Sequence, residues 1–318
     1  MTVASPEQQE LLREMLRIRM VEEAIADLYP EQEMRCPVHL SIGQEAPAVG
    51  VCHVLGDQDL VVSGHRSHAH YLARGGDLGR MLAELYGRAS GCTGGLGGSM
   101  HLTDPEAGFL AATPIVGSSI PVGVGAALTA QSRGTDQMVV VFLGDAAMET
   151  GVLHESINFA VVRNLPVLFC CEDNLYSVYS PMSVRQPASR AIRDLAAGHG
   201  IRAVAGNGND VEEVVSLAGE ARAAIRSGAG PFFLALSTYR WREHCGPYYD
   251  NDIGYRTPQE FESWKATDPI EVLASRSAWT GREEATLVIE AEIRQAVDFA
   301  MASPFPDADT ALLPASEL

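Results

Sequence analysis

The stretch "VVVFLGDAAMETG", residues 139–151, is the starting point for predicting the fold of this sequence. Its apolar residues form a short uninterrupted run, which is typical of a strand buried on both faces of a parallel sheet. The run ends at Gly144-Asp145, and a helical pattern follows. Because burying a carboxylate without a partner is costly, we expect Asp145 to meet a metal ion at the end of this strand.

A second buried strand is predicted at "PVLFCCE", residues 166–172, and Asn174 follows it. Asn174 lies 29 residues after Asp145, which is close to the length of one β-α-β unit, roughly 30 residues. The two polar side chains should therefore meet beyond the carboxyl ends of neighbouring strands, where open parallel sheets bind their ligands. A carboxylate and a carboxamide offer the oxygen ligands that suit Mg²⁺ or Ca²⁺ better than Zn²⁺.

Two interpretations of these strand ends stay open at this point. In the first, a magnesium ion takes part of its coordination from phosphates, and the backbone amides of Ala146 and Ala147 meet those phosphates. In the second, Gly144-Asp145 only caps the following helix, and Asn174 begins an ordinary turn. Motifs as short as this pair occur in many unrelated proteins, so other parts of the sequence must decide.

The rest of the pattern predicts an α/β fold with a doubly wound, mainly parallel sheet flanked by helices, because apolar strands alternate with helices. Ser5 and Gln8 form the sequence signature of a helix start. No internal repeat or low-complexity linker is visible, so we expect a single domain over residues 1–318. The other predicted elements are a third strand at 231–241, a helix at 41–55, an N-terminal helix at 6–29 and a C-terminal helix at 282–303.

The charge and composition of the chain limit the kinds of partner and the cellular compartment that we expect for it. The net charge of −18 argues against nucleic acids and anionic membrane surfaces. The six cysteines include no CxxC pair, which favours reduced thiols over disulfides or a zinc site. No apolar stretch reaches the roughly 18 residues of a membrane helix, and the N-terminus lacks the pattern of a signal peptide. We therefore expect a cytoplasmic protein.

The segment "HRSHAH" places His65, His68 and His70 close together in the chain. Such a cluster raises the question of a transition-metal site. Its spacing fits no pair of ligands on one helix face, and no cysteine or carboxylate adjoins it. We therefore expect no metal bound by this segment, and we expect structural roles for His70 and His101.

Seven blocks of the sequence, in the same order, resemble the alpha subunit of two-component thiamine diphosphate-dependent 2-oxo acid dehydrogenases. This family includes the first components of the pyruvate, branched-chain and acetoin enzymes. The resemblance runs from about residue 10 to residue 305 and implies the diphosphate-binding half of the thiamine diphosphate-binding fold. Its blocks are "HLSIGQEAPAVG" (39–50), "GHRSHAHYLARGG" (64–76), "GGLGGSMHL" (94–102), "PIVGSSIPVGVGAAL" (114–128), "GDAAMETGVLHESINFA" (144–160), "EDNLYSV" (172–178) and "TYRWREH" (238–244).

The resemblance implies a role for individual residues. Asp145, the side chain of Asn174 and the backbone carbonyl of Tyr176 would hold Mg²⁺. His244 and His68 would flank the reacting carbon, and His244 is the first candidate for proton transfer. An arginine in 185–193 would also reach the diphosphate, with Arg190 and Arg185 as candidates. The other residues expected against the cofactor are Gly144, Ala146, Ala147, His65, Arg66, Pro114 and Val116.

The resemblance also implies partners. In this family a glutamate that protonates the pyrimidine ring comes from a separate beta subunit, so we expect an α₂β₂ assembly with the active site between two chains. The substrate would be a 2-oxo acid such as pyruvate. After decarboxylation, the acyl unit would pass to a lipoyl domain of an acyltransferase.

Three departures from the family pattern affect this interpretation. Gly-Asp-Ala at 144–146 replaces the usual Gly-Asp-Gly, at a cost of about 1 kcal/mol if Ala146 needs a positive φ. His65 and Ser67 replace the common tyrosine and aspartate. The segment "REHCGPYYDND" (242–252) replaces the usual loop. This last change favours an alternative acceptor, in which the acyl unit goes to an aldehyde, ketone or sugar in acyloin or specialised biosynthesis. A non-catalytic subunit is disfavoured, because the three expected magnesium ligands are present.

Overall fold

The computed structural model describes the backbone of residues 2–311 and the side chains of residues 3–309. Met1 and residues 312–318, at the two ends of the predicted domain, lie outside this range. The strands are β1 (Thr2–Val3), β2 (Leu60–Ser63), β3 (Phe109–Ala112), β4 (Val139–Gly144), β5 (Val167–Asp173), β6 (Tyr176–Ser177), β7 (Ser180–Pro181), β8 (Arg202–Asn207), β9 (Phe232–Ser237) and β10 (Ser277–Ala278).

Helices surround these strands along most of the described chain. They are α1 (Pro6–Leu28), α2 (Glu45–His53), α3 (His68–Ala73), α4 (Leu78–Leu85), α5 (Ser119–Arg133), α6 (Gly151–Arg163), α7 (Met182–Arg185), α8 (Ile192–Ala197), α9 (Val211–Arg226), α10 (Pro258–Lys265), α11 (Pro269–Arg276), α12 (Arg282–Ala302) and α13 (Ala308–Ala311). Two 3₁₀ turns, Tyr29–Glu31 and Asp145–Glu149, complete the set.

The central sheet has six strands in the order β3-β2-β4-β5-β9-β8, and all neighbours in it are parallel. After β2 the chain crosses to β3 on one side, whereas after β4 it crosses to β5 on the other side. The sheet is therefore doubly wound, as the sequence predicts. Such a reversal of direction opens a crevice beyond the carboxyl ends of β2 and β4.

Alternate residues of each central strand enter two separate cores, one on each face of the sheet. In β4, Val140 and Phe142 belong to the core that also contains residues of α1, α2, α3, α4 and α9, while Val139 and Val141 belong to the core that contains residues of α5, α6 and α8. This explains why the strand reads as a continuous apolar run, since both of its faces are buried. The prediction of a strand covered on both sides is confirmed.

The two terminal helices agree with their predicted bounds to within one residue. Helix α1 begins at Pro6 behind a capping box, in which the Ser5 hydroxyl accepts from the Gln8 amide and the Gln8 side chain accepts from the Ser5 amide. These reciprocal bonds satisfy backbone donors that a helix start leaves unpaired. Helix α12 ends at Ala302, one residue before the predicted end at 303.

Two predicted elements are shorter in the structure than in the sequence analysis. The helix expected at 41–55 begins only at Glu45, because Gly43 has φ +93° and packs against Trp241, where a Cβ atom would lie 2.5 Å from the indole ring. The strand expected at 231–241 ends at Ser237. Beyond it the chain leaves the sheet, and the Trp241 amide donates instead to the Ile42 carbonyl over 3.0 Å.

Two further observations concern the cysteines of the chain and the possibility of a membrane-spanning helix. All six cysteines are free thiols, so the prediction that they form no disulfides is confirmed. Among the residues that the structure describes, no helix has both the length and the apolar character needed to cross a membrane.

Candidate active site

A cavity of ≈ 970 Å³, counted with its open mouth, lies in the crevice where the sheet reverses direction. The residues that follow β2 (64–66) form one side of it, and those that follow β4 (144–147) form the other. Its size is suitable for a cofactor or a substrate. The location agrees with the expectation drawn from the strand ends alone.

Most of the residues predicted for the site come together in this cavity, although they are far apart in the sequence. Three of the residues named as candidates, His68, Arg185 and Arg190, do not line it. Those that do are His65, Arg66, Pro114, Val116, Gly144, Asp145, Ala146, Ala147, Asn174, Tyr176 and His244.

The side formed by β4 and β5 is acidic. Asp145 is 2% exposed and forms an ion pair with Arg185, which also binds Glu149 over 2.5 Å. Burial raises the pKa of Asp145 despite the lowering effect of Arg185. Burial and the neighbouring charge of Asp145 raise the pKa of Asp173 to about 6. The Arg185 guanidinium thus serves both the buried Asp145 and the exposed Glu149, which leaves this side short of positive charge.

The turn after β5 presents the other predicted metal ligands. The Asn174 side chain accepts from the Tyr176 amide over 3.3 Å, and its amide group donates to Gln44 over 3.3 Å. Leu175 and Val178, on either side of Tyr176, have φ of 72° and 54°. A positive φ is strained for a β-branched residue, and such strain is concentrated at functional sites. The Val178 carbonyl is held by Arg240 over 2.7 Å.

Ala146 stands where the family usually has glycine, but its backbone does not adopt the positive φ that would strain an alanine. The non-glycine residues with positive φ in the described chain are Gln32, Asn164, Leu175 and Val178. Ala146 instead lies within the 3₁₀ turn Asp145–Glu149. The energetic cost considered from the sequence therefore does not arise.

The opposite side of the cavity carries three imidazole rings from three separate segments. His39 precedes α2, His65 follows β2, and His244 lies in the segment after β9. Their ring centroids are 5.0 Å apart for His39 and His244, 5.1 Å for His39 and His65, and 5.4 Å for His65 and His244. Of the three, the sequence analysis assigned no role to His39.

All three imidazoles are neutral near pH 7. Burial, together with the positive charge of Arg66, lowers the pKa of His39 to about 2, that of His65 to about 4 and that of His244 to about 3. Burial and Arg240 lower the pKa of the Arg66 guanidinium itself to about 10, although the guanidinium remains charged at neutral pH. Each ring therefore keeps one nitrogen lone pair.

Arg66 connects the segments that carry these rings. Its guanidinium donates to the Leu40 carbonyl and, over 3.1 Å, to the His244 carbonyl. The same two segments are joined by a bond from the Gly246 amide to the Val38 carbonyl over 2.9 Å. Arg66 thus organises the histidine side of the cavity and lines the cavity at the same time.

His68 does not reach the cavity, which corrects the prediction that it flanks the reacting centre. It is fully buried, and both ring nitrogens are engaged: Nδ1 with Glu22 over 2.7 Å and Nε2 with Ser99 over 2.7 Å. Glu22 also accepts from the Ser41 amide over 2.7 Å. The helical position of His68 at the start of α3 turns its side chain into the core, so it supports the segments around the site.

His70 and Arg190 also have well-defined places. His70 stacks on Phe142 with centroids 3.8 Å apart and bonds Ser63 and Glu172, which agrees with the structural role expected for it. Arg190 is exposed and contacts Gln186 over 3.4 Å, away from the cavity. Of the two arginine candidates, Arg185 is the one paired with Asp145.

Sequence reasoning missed His39, Gln44 and Glu172 as lining residues. Each lies inside a block that was quoted for the family resemblance, and His39 is the first residue of its block. The position of these residues inside the family blocks was the signal by which they could have been predicted as lining residues. Nothing in the local pattern shows that a histidine before α2 meets one that lies more than 200 residues later.

Comparison with known proteins adds to this geometry. The sequence model of the family described as "Dehydrogenase E1 component" matches residues 13–309. The chain belongs to this dehydrogenase E1 component family.

Individual relatives match nearly the whole chain. The alpha subunit of acetoin:2,6-dichlorophenolindophenol oxidoreductase from Bacillus subtilis is 36% identical over 93% of this chain and 89% of the relative. The alpha subunit of the pyruvate dehydrogenase E1 component from Rhizobium meliloti is 36% identical over 93% of this chain and 86% of the relative. The acetoin:2,6-dichlorophenolindophenol oxidoreductase alpha subunit from Cupriavidus necator is 35% identical over 92% of this chain and 89% of the relative. The resemblance inferred from the seven blocks is confirmed.

Proposed function

We propose that this chain is the alpha subunit of a heteromeric, thiamine diphosphate-dependent enzyme that decarboxylates a pyruvate-like 2-oxo acid and transfers the acyl unit to a lipoyl domain. One observation carries the proposal: the cavity at the sheet reversal is acidic and short of cations on one side and lined by Arg66 and neutral imidazoles on the other. Membership of the E1 component family and the names of the relatives support it.

The acidic side fits a magnesium ion. Asp145, the Asn174 side chain and the Tyr176 carbonyl provide hard oxygen donors of the kind Mg²⁺ prefers. The Arg185 guanidinium now neutralises Asp145. A divalent cation at Asp145 would take over that role, and Arg185 would then be free to pair with a phosphate. This makes Arg185 the stronger candidate for the arginine that reaches the diphosphate.

The other lining residues fit the rest of the cofactor. Gly144, Ala146 and Ala147 surround the start of the 3₁₀ turn, where backbone N–H groups are available for phosphate oxygens. His65 and Arg66 provide donors from the opposite side of the cavity. Pro114 and Val116 line its mouth and provide the surface for the aminopyrimidine ring.

Thiamine diphosphate would supply the electron sink for decarboxylation of the 2-oxo acid. The chain's own contribution to the proton transfers is assigned to His244. Its ring is neutral because burial and Arg66 lower its pKa to about 3. A diphosphate bound against Arg66 would offset the guanidinium charge and raise the pKa of His244 toward the neutral range that suits proton transfer. His244 would then hold or release a proton at its imidazole nitrogen.

The proposal includes a beta subunit that supplies the activating glutamate in an α₂β₂ assembly. The relatives' names identify them as alpha subunits, which supports a second type of chain. Ile115 and Val116, at the cavity mouth, are 69% and 46% exposed. Apolar side chains exposed beside a cavity are typical of a surface that another chain covers. The free thiols of all six cysteines support a place in the cytoplasm.

A second candidate function keeps the cofactor but changes the acceptor of the acyl unit to an aldehyde, ketone or sugar. The segment 242–252 favours it, because it differs from the family's usual loop and is held in place by buried charges. Asp250 binds Arg256 over 2.5 Å and Tyr255 over 2.7 Å, and Arg240 donates to the Arg242 carbonyl over 2.7 Å. A fixed, atypical segment beside His244 would select a different acceptor.

The test uses this chain co-purified with a beta subunit, in the presence of thiamine diphosphate and Mg²⁺. We expect release of CO₂ from pyruvate or a related 2-oxo acid, and we expect Asp145→Ala to abolish it. Asp194→Ala, which removes an exposed carboxylate whose one ion-pair partner in the described chain is its neighbour Arg193, is the matched control and should keep full activity. Decarboxylation that survives in Asp145→Ala would contradict the proposal. Acylation of a lipoyl domain, against formation of an acyloin from an added aldehyde, separates the two candidate functions.

A further inference from the structure

We propose that His39, His65 and His244 form a binding site for a transition-metal dication, with zinc as the ion that fits best. The three residues offer one nitrogen each, and these atoms all lie within 4.8 Å of one another. The spacing of the histidines within residues 65–70 argues against a metal bound by that segment alone. The site proposed here takes only His65 from that segment and obtains its other two ligands from distant parts of the chain.

His39 provides the strongest reason to expect a ligand. The residue is only 6% exposed, and its Nδ1 atom is buried without a hydrogen-bond partner. A buried polar atom without a partner carries a cost of about 1–3 kcal/mol, so it calls for an explanation. Within residues 3–309, the rings of His65 and His244 form no hydrogen bonds either. Three unpartnered imidazoles that face each other are suited to a metal ion.

The ligand chemistry selects the type of metal. Imidazole nitrogen suits zinc, copper, nickel and iron, whereas magnesium and calcium prefer oxygen. Zinc imposes no geometric preference of its own and is commonly bound by three protein ligands and one exchangeable ligand. Nitrogens bound tetrahedrally at about 2.1 Å from zinc lie about 3.4 Å apart. Since the three nitrogens lie within 4.8 Å of one another, the rings need to approach by up to about 1.4 Å. The fourth position would face the cavity.

The surrounding structure holds the three ligands in place. Arg66 donates to the carbonyls of Leu40 and His244, next to or within the ligand segments. The Trp241 amide donates to the Ile42 carbonyl over 3.0 Å, which joins the same two segments a second time. These bonds restrict the loops before any metal binds, and such preorganisation lowers the entropic cost of binding.

Arg66 is also the charge that opposes a cation at this site. The carboxylates of Glu22 and Glu172 lie close enough to counter its charge. Glu22 is fully buried, and Glu172 is 6% exposed, so water screens these interactions weakly. The net field at the histidines is therefore less repulsive than the guanidinium alone would produce.

The experiment measures zinc binding to the full-length chain without thiamine diphosphate, by equilibrium dialysis with metal analysis. Cobalt(II), whose visible absorption reports tetrahedral coordination, serves as the second probe. We expect one zinc ion per chain. We expect His65→Tyr and His39→Gln each to weaken binding by about tenfold or more, because each removes one ligand. His65→Tyr also restores the residue common in the family that this sequence resembles.

Two matched variants should bind zinc as the wild type does. His199→Gln breaks the other close imidazole pair, in which His154 and His199 lie 2.9 Å apart. Asp145→Ala removes the carboxylate proposed for magnesium. The ion would occupy this site only in the chain without thiamine diphosphate, because the proposed function assigns His65 to the diphosphate and His244 to proton transfer when the cofactor is bound. Because the measurement uses neither cofactor nor activity, its result is independent of the proposed function.

Three results would overturn the zinc site: no zinc bound to the wild type, undiminished binding in His65→Tyr, or loss of binding in His199→Gln or Asp145→Ala. Circular dichroism confirms that each variant is folded. If the buried His39 variant fails to fold, the His65 variant decides the question, since His65 is partly exposed at the cavity.

Discussion

His65 and His68 lie three residues apart in one motif, yet their surroundings in the structure are opposite. Both ring nitrogens of His68 are bonded inside the core, to Glu22 and Ser99. His65 lines the cavity, beside His39 and His244, and its ring forms no hydrogen bond within residues 3–309. This difference shows that residue type and sequence position are not enough to predict the role of a histidine. The role depends on the hydrogen-bond partners that the fold places around the ring.

The comparison separates a framework group from a cavity group. The framework group is His68, Glu22 and Ser99, and the cavity group is His39, His65 and His244. Substitutions in the framework group should mainly lower the stability of the fold. Substitutions in the cavity group should mainly change chemistry and ligand binding, because their ring nitrogens have no hydrogen-bond partner among the side chains and backbone that the structure describes.

The largest expected effect is that of His244→Gln on catalysis. Removing a residue that transfers protons lowers the rate by about 10²–10⁴-fold. The unfolding free energy should change by less than about 1 kcal/mol, since the His244 ring forms no hydrogen bond in the described part of the chain. Initial rates of CO₂ release and urea unfolding measure the two quantities. His101→Gln, at an exposed histidine, is the control. A rate close to that of the wild type would contradict the proposed role of His244 in proton transfer.

The next effect is that of Glu22→Ala on stability. Glu22 is fully buried and accepts from His68 and the Ser41 amide, so its removal leaves two buried groups without a partner. We expect a loss of about 3–5 kcal/mol in the free energy of unfolding, measured by urea titration. Glu10→Ala, at an exposed position of the same helix, should change it by less than about 0.5 kcal/mol. Equal effects of the two variants would show that Glu22 is not part of a framework.

A smaller loss is expected for His68→Gln. It leaves the Glu22 carboxylate with a weaker partner and should cost about 1–3 kcal/mol. A double-mutant cycle with Glu22→Ala and His68→Ala sharpens the comparison, because contacting residues couple whereas distant ones add. Additive effects in this cycle would contradict the bond seen between the two side chains.

The smallest effect, counted per pH unit, is on the pH dependence of stability. Because folding lowers the pKa of His65 to about 4 from 6.5, the unfolded chain binds more protons between these values. The stability that this provides is complete above pH 6.5 and is lost as the pH falls toward 4. His65→Tyr should therefore make the fall in stability on acidification shallower, by at most about 1.4 kcal/mol per pH unit. Thermal unfolding of the cofactor-free chain at several pH values measures the slope. An unchanged slope would show that His65 is accessible to protons in the folded chain.

The sequence predicted the sheet and the acidic side of the cavity because both depend on local patterns. Val139–Gly144 and Val167–Asp173 are apolar runs buried on both faces, and parallel neighbours must end at the same edge. Asp145 and Asn174 therefore had to meet there. The family blocks then identified eleven of the residues that line the cavity.

The histidine side was not predictable in the same way. His39 and His244 come together because two irregular segments, around 38–43 and 239–246, are joined by backbone bonds and by Arg66. Irregular segments have no periodicity, so the sequence does not show that they pair. The burial of His68 depends on which way the first turn of α3 faces, and a motif of six residues does not determine this.

Binding of thiamine diphosphate to this chain with its beta subunit, with and without Mg²⁺, tests most directly whether the sheet edge at Asp145 and Asn174 holds the cofactor. Calorimetric titration should show binding only when Mg²⁺ is present. It should show affinity reduced by more than about 100-fold in Asp145→Ala and in Asn174→Ala, with Asp194→Ala unchanged. Tight binding without Mg²⁺, or unchanged affinity in Asp145→Ala and Asn174→Ala, would contradict the account.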